Sequence, residues 1–306
     1  MSDIGRLLTA MVTPFEINGE VDYPQAKNLA GALLDSGSDG VVVSGTTGES
    51  PTLSRDEKLR LFAAVKAAVG DHGAVIAGTG SNDTRASIEL TQAAETTGVD
   101  AVLLVVPYYN KPTPDGLYRH FEAISRNTNL PCILYNVPSR TVTNLTTETV
   151  ARLSKLPNLI GIKESSGDID QIAAIIDVVP SEEFRVWSGN DHDTIEVMRR
   201  GGYGLVSIAS HLVGLEIKEL IELCIDRKQS EAQASHDRLM PLFRDLFVLS
   251  NPIPVKYLLN HIGFEVGGYR LPLTAPDEKT RTLLEETLKQ YTINLPLSKE
   301  VSANDL

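Results

Sequence analysis

Residues 158–179 read NLIGIKESSGDIDQIAAIIDVV. A short apolar run, Leu159–Lys163, is followed by a polar turn through Gly167 and then by a helical pattern, Asp168–Val179. The run shows no polar alternation. A strand of that kind is buried on both faces, as in a parallel sheet. Strand, turn and helix together make one βα unit, and the unit recurs on both sides. Runs at Leu7–Val12, Gly40–Ser44, Ala74–Gly78, Ala101–Val106, Pro131–Tyr135, Phe184–Ser188 and Gly204–Ile208 bring the expected strands to eight. Helical patterns follow at Asp22–Ser36, Ser54–Val69, Asp83–Thr97, Pro114–Asn127, Thr146–Leu156, Asp191–Arg200 and Gly214–Arg227. Their ends carry the right chemistry. Asp22 caps ahead of Pro24, and Ser54 with Glu57 makes a capping box. In that second helix Leu59, Phe62, Ala63 and Lys66/Ala67 are expected to form the inner face.

Strict alternation implies right-handed crossovers, and eight strands is the number that closes a barrel. The alternative is an open doubly wound sheet. It would usually carry fewer strands and a glycine fingerprint after the first, where this chain has Thr13-Pro14-Phe15. The expected fold class is α/β, a (β/α)8 TIM barrel over residues 1–230 with a C-terminal helical appendage over 231–306. In the appendage Ser230–Ser250, Pro252–Ile262 and Pro276–Tyr291 read as helices with no strand between them. The last dozen residues are polar and are expected to fray.

The composition is ordinary for a globular chain of 306 residues: 42% apolar and 22% charged. With 28 Lys+Arg against 40 Asp+Glu, the net charge is −12. That balance argues against nucleic acid or an anionic membrane as partner, because both require clustered cations. Two cysteines, Cys132 and Cys224, make neither a disulfide framework nor a multi-cysteine metal site and suit a reducing compartment. The first twenty residues lack the features of a secretory signal or transit peptide, so the expected localisation is cytoplasmic. The six histidines show no HxH or HExxH spacing. Asn190-Asp191-His192-Asp193 is rich in ligand atoms but lies at a helix start, where capping by Asn190 or Asp191 accounts for it. No metal is expected.

A (β/α)8 barrel builds its active site from the C-terminal ends of its strands. Here those ends carry Gly45-Thr46-Thr47-Gly48-Glu49-Ser50, Thr79-Gly80-Ser81-Asn82, Pro107-Tyr108-Tyr109, Tyr135 with Ser139-Arg140, Lys163-Glu164 and Ser188-Gly189. Lys163 ends an apolar strand. Desolvation of a lysine inside a barrel favours the neutral amine, a nucleophile for carbonyls. Alternatively it snorkels out and pairs with Glu164. Tyr135 ends the preceding strand and could pass protons to that lysine, or be a core aromatic with its hydroxyl at the rim. Thr46-Thr47 between glycines offers a nest for a carboxylate or phosphate, although GTTG also suits any tight turn. Arg140 could clamp a carboxylate or make a surface ion pair.

Taken together, GTTGES at 45–50, TGSN at 79–82, VPYYNKP at 106–112, YNVPSRT at 135–141, GIKESSGD at 161–168, SGND at 188–191 and NPIPVK at 251–256 resemble the dihydrodipicolinate synthase / N-acetylneuraminate lyase family. The resemblance covers about residues 4–290. It implies a cofactor-free lyase of lysine biosynthesis that condenses pyruvate with L-aspartate 4-semialdehyde, working as a homotetramer built as a dimer of dimers. It implies Lys163 as the Schiff-base lysine and Tyr135 as the proton shuttle. Thr46 and Tyr109 would be the shuttle's partners, with Tyr109 reaching into a neighbouring subunit's site. Thr47 would bind the pyruvate carboxylate and Arg140 that of the aldehyde, while Gly189 and Val206 would line the pocket. The alternative within the family is a lyase for N-acetylneuraminate or 2-keto-3-deoxy sugar acids, and SRT after the shared tyrosine favours the synthase. Ser50, Asn82 and Tyr108 match the family's site for inhibitory lysine. Ala86 stands where an acidic residue is expected, and Lys58 where sensitive members often have Glu or His. The resemblance therefore implies weak or absent inhibition by lysine.

Overall fold

The computed structural model describes residues 4–180 and 182–297. Most of the C-terminal stretch expected to fray, residues 298–306, lies outside them.

The chain alternates as β1 (Leu7–Ala10), α1 (Tyr23–Asp35), β2 (Gly40–Val43), α2 (Arg55–Val69), β3 (Ala74–Gly78), α3 (Thr84–Glu95), β4 (Ala101–Val105) and α4 (Pro114–Ser125). It continues with β5 (Cys132–Asn136), α5 (Pro138–Thr141), α6 (Thr147–Leu153), β6 (Leu159–Glu164), α7 (Ile169–Val178), β7 (Arg185–Ser188), α8 (Thr194–Arg199) and β8 (Gly204–Ser207). Four helices follow: α9 (Ser210–Ile225), α10 (Gln229–Asp245), α11 (Ile253–His261) and α12 (Glu278–Leu288). The eight strands close into one barrel in chain order, with β1 pairing β8 in parallel. The expected TIM barrel is the observed fold. No helix among the described residues is long and apolar enough to cross a membrane.

Two apolar layers hold it together. Leu8, Val42, Ile76, Ile133, Trp187 and Val206 belong to the cluster that fills the barrel. A larger cluster joins the outer strand faces to the helices. Gly161 explains how the largest side chain fits inside. A Cβ there would lie 2.3 Å from the Arg185 carbonyl and 2.5 Å from the Trp187 ring, so only glycine lets the indole lie across β6.

The helix starts bear out Asp22 as a cap and Ser54–Glu57 as a capping box. Other local expectations need correction. The inner face of α2 is Leu61, Phe62, Val65 and Val69, and Ala63 is exposed. Leu61 and Val65, one turn apart on the buried face, fix a phase that Leu59 and Ala63 had displaced. The run expected as one helix from Asp191 is a 3-10 turn, Asp191–Asp193, followed by α8. Neither Asn190 nor Asp191 caps it through its side chain. Asp191 instead accepts hydrogen bonds from the Ser207 hydroxyl and the Ile208 N–H, bracing the end of β8. Helix α9 starts four residues ahead of Gly214, with a break at Val213.

The C-terminal helices do more than cover the barrel's side. Lys256 on α11 is fully buried and donates to Glu49 Oε1 at 2.8 Å and to the Thr13 carbonyl at 3.0 Å. Arg270 grips Glu57, the Thr52 carbonyl and the Gly19 carbonyl. Its guanidinium holds the Glu57 carboxyl down to about 2. The loops after β1 and β2 are thus tied to residues more than two hundred positions away.

Candidate active site

The site follows from strand register. Tyr135 lies opposite Lys163 across β5 and β6, and Lys163 lies opposite Trp187 across β6 and β7. Lys163 occupies the penultimate position of an apolar strand and its side chain turns into the barrel, where it is 6% exposed. Its Nζ stands 4.3 Å from the centre of the Tyr135 ring. The snorkelling alternative fails, because Glu164 is engaged elsewhere. Glu164 accepts from Asn136 Nδ2 at 3.0 Å and from the Ser166 N–H at 2.8 Å. Burial pushes its carboxyl up, and those hydrogen bonds oppose the shift.

The Thr46-Thr47 loop is bracketed by two left-handed residues, Ser44 at φ 56° and Glu49 at φ 54°. For non-glycine residues that conformation is held by surrounding contacts. They are the Lys256–Glu49 ion pair and the Thr13 hydroxyl, which donates to the Gly48 carbonyl at 2.7 Å. Arg140 sits on α5, a single helical turn where a loop had been expected. It donates Nη2 to the Asn251 carbonyl at 3.3 Å.

The barrel mouth brings six expected residues to one cavity of about 290 Å³: Thr46, Thr47, Tyr135, Arg140, Lys163 and Gly189. Gly189 is required there by space. A Cβ would fall 1.8 Å from Ser165 Oγ and 2.9 Å from Lys163 Cε. Gly189→Ala is expected to displace the lysine and lower kcat/KM by about 100-fold. Steady-state kinetics check it, with a circular dichroism spectrum matching the parent.

The remaining expected residues fall outside this cavity. Val206 is packed in the barrel-filling cluster, and Ile208 lines the cavity instead. Tyr109 is 89% exposed and projects from the mouth at φ 72°. Ser50 and Tyr108 line a neighbouring cavity of about 250 Å³ that shares Thr46, Tyr135 and Arg140 and also holds Lys58. Burial disfavours the Lys58 ammonium and lowers its pKa. Asn82 lies in neither cavity, and its carbonyl accepts from Asn110 Nδ2 at 2.9 Å. A larger hollow of about 580 Å³, lined by Arg185 and Tyr203, opens at the opposite end of β7 and β8, away from the lysine.

Among the cavity residues to which the sequence reading gave no role, two carry unpartnered polar atoms. Ser165 Oγ and Asn251 Oδ1 are buried without a hydrogen-bond partner among the described residues. Ser165 lies two positions after Lys163, on the same strand side, a spacing that could have revealed it. Asn251 opens NPIPVK, but nothing local in that motif says that it folds back onto the loop after β2. Among the described residues no group of three or more His, Cys, Asp or Glu is placed to hold a metal ion. The assembled chemistry is a buried amine beside a phenol, with hydroxyls and a guanidinium placed for carboxylates.

Residues 3–291 match the dihydrodipicolinate synthetase family. The 4-hydroxy-tetrahydrodipicolinate synthase of Dehalococcoides mccartyi is 60% identical over 297 residues, covering 97% of this chain and all of that one. The enzyme of that name from Heliobacterium modesticaldum is 49% identical over 300 residues, covering 98% of this chain and all of its own. The crystal structure of a dihydrodipicolinate synthase from Bacillus anthracis superposes with a TM-score of 0.93 at 44% identity, covering 95% of this chain and all of that one. That of Cyanidioschyzon merolae, with lysine bound, gives 0.92 at 44% identity, covering 94% and 98%.

Proposed function

The chain belongs to the dihydrodipicolinate synthetase family, and from that premise we infer that its barrel mouth condenses pyruvate with L-aspartate 4-semialdehyde. The product is 4-hydroxy-tetrahydrodipicolinate, on the diaminopimelate route of lysine biosynthesis. The observation that carries this reading is Lys163, buried at the end of β6 and in register with Tyr135.

In the proposed sequence the neutral amine of Lys163 attacks the pyruvate ketone and one water leaves, forming an imine. The imine withdraws electrons, a methyl proton is lost, and an enamine results. Tyr135 relays protons, with Thr46 and a neighbouring subunit's Tyr109 as its hydrogen-bond partners. Thr47 holds the pyruvate carboxylate, Gly189 shapes the pocket while Val206 packs in the barrel-filling cluster, and Arg140 receives the carboxylate of the aldehyde. The enamine carbon attacks the aldehyde, and the substrate's amino group then closes the ring. Lys163 supplies the electrophilic activation, so no metal or organic cofactor enters these steps. The reading includes assembly as a homotetramer, a dimer of dimers, in the cytoplasm, with the exposed Tyr109 open to a second copy of the chain. The proposed division of the sequence is a catalytic barrel domain, 1–230, and a helical appendage, 231–306, with α10 starting at Gln229, just before that boundary.

Purified protein given pyruvate and L-aspartate 4-semialdehyde is expected to form the cyclic product, followed by coupling to its reduction. Cleavage of N-acetylneuraminate or a 2-keto-3-deoxy sugar acid at a higher kcat/KM would overturn this in favour of the sibling activity.

Regulation follows from the neighbouring cavity. Ser50 and Tyr108, which line it, and Asn82, next in the chain to the lining residue Ser81, are the proposed effector residues, yet Lys58 brings a cation and Ala86 offers no carboxylate for the effector's ammonium. Lysine is expected to inhibit only at millimolar concentrations or above. An inhibition constant well below millimolar would contradict this.

A further inference from the structure

Asn251 belongs to the C-terminal region, yet it lines the cavity of Lys163. It is 5% exposed, and its Nδ2 donates to Thr47 Oγ1 at 2.9 Å. Its Oδ1 is buried and accepts nothing among the described residues. An unpaired buried amide oxygen is costly, and in a binding cavity its natural partner is a ligand donor. An amide oxygen accepts and cannot donate, so the missing partner must bring an N–H or O–H. Pyruvate has none as its anion. L-aspartate 4-semialdehyde has one donor group, its α-amino group.

The neighbours of Asn251 strengthen the deduction. Its backbone carbonyl is 3.3 Å from Arg140 Nη2. An α-amino acid carries its amino and carboxylate groups on one carbon, so a guanidinium and an amide acceptor on adjacent contacts suit that head group. We propose that Asn251 is the specificity residue for the α-amino group of the aldehyde substrate, with Arg140 taking the carboxylate of the same carbon. This rests on the condensation proposed above.

The same contact orients the nitrogen for ring closure. Once deprotonated, that nitrogen attacks the imine carbon joined to Lys163. A carbon–nitrogen bond forms, the bond from that carbon to Nζ breaks, and Lys163 leaves as a free amine. No oxidant or reductant is consumed, and the single water of the overall reaction is the one released when pyruvate is bound.

The test compares L-aspartate 4-semialdehyde with succinic semialdehyde, which is the same molecule without the amino group. In the full-length protein, Asn251→Leu is expected to raise KM for the amino aldehyde roughly 10- to 100-fold. The inhibition constant of succinic semialdehyde is expected to stay within about twofold of the parent value. Asn251→Asp keeps an acceptor and loses the donor to Thr47. It is expected to weaken pyruvate binding while retaining the preference for the amino aldehyde. Thr47→Val is expected to raise KM for pyruvate and leave that preference unchanged. Equal weakening of both aldehydes by Asn251→Leu, or loss of the preference in Asn251→Asp, would overturn the assignment. Borohydride trapping of pyruvate, run in parallel on the parent protein, tests the condensation separately. Its absence would sink the reaction, whereas intact trapping with an unchanged aldehyde preference in Asn251→Leu would sink only the role of Asn251.

Discussion

Lys163→Ala is expected to abolish covalent capture of pyruvate and to reduce turnover by at least about 10,000-fold. The size follows from what the side chain supplies. Among the described residues its amine is the only one lining the cavity that holds Tyr135, Thr47 and Gly189. Without an imine, a methyl proton of pyruvate has no electron sink. Borohydride reduction followed by mass spectrometry of peptides reads the outcome directly. In the parent protein the pyruvate-derived mass addition is expected on the peptide containing Lys163. An adduct that persists in Lys163→Ala, or that maps to Lys58 in the neighbouring cavity, would overturn the mechanism. The substitution removes a side chain that is not part of an ion pair among the described residues, so the fold is expected to survive, with an unchanged circular dichroism spectrum.

The second large effect concerns stability. Lys256 and Glu49 are both fully buried and 2.8 Å apart. Lys256 also lies 4.3 Å from the centre of the Phe15 ring. A buried pair is expensive to break from one side, because the surviving charge stays in the interior without a partner. Lys256→Met is expected to cost about 3–5 kcal/mol. In a chain of this length that lowers the thermal midpoint by about 5–8 °C. Lys256→Met combined with Glu49→Gln removes both charges and is expected to recover part of the loss. Differential scanning calorimetry on the parent and the two variants decides. A single variant within about 1 °C of the parent would show that the pair carries no such weight.

Much of the barrel was legible because its signals are local. The strands are short apolar runs, and α1, α2 and α3 start at the capping residues Asp22, Ser54 and Asp83 and stop close before Gly37, Gly70 and Gly98. Lys163 stood out because a cation ending the run LIGIK conflicts with burial, and that conflict was the site. Boundaries moved where a side chain had a distant partner. Asn136 joins β5 because it lies opposite Glu164 on β6. Asp191 fails to cap because Ser207 and Ile208 claim its carboxylate. The phase of α2 was misjudged because alanine and lysine stems fit either face of a helix. Asn251 and Lys256 were invisible as site residues for the same kind of reason. Their partners, Thr47 and Glu49, lie 204 and 207 positions earlier, and no local pattern encodes such a contact.

That separation has a consequence during synthesis. At about 5–20 residues per second, some 10–40 s pass between polymerisation of Thr47 and of Asn251. All eight strands are complete by Ser207, so a nascent chain can close its barrel while the loop after β2 still lacks its anchors. The mouth is finished only when translation has passed Lys256. A chain released early by a stalled ribosome would carry Lys163 and Tyr135 but no amide to hold Thr47 and no ammonium to pair with Glu49. Competence is thereby tied to translation past Lys256, and products interrupted before it are left without a finished pocket.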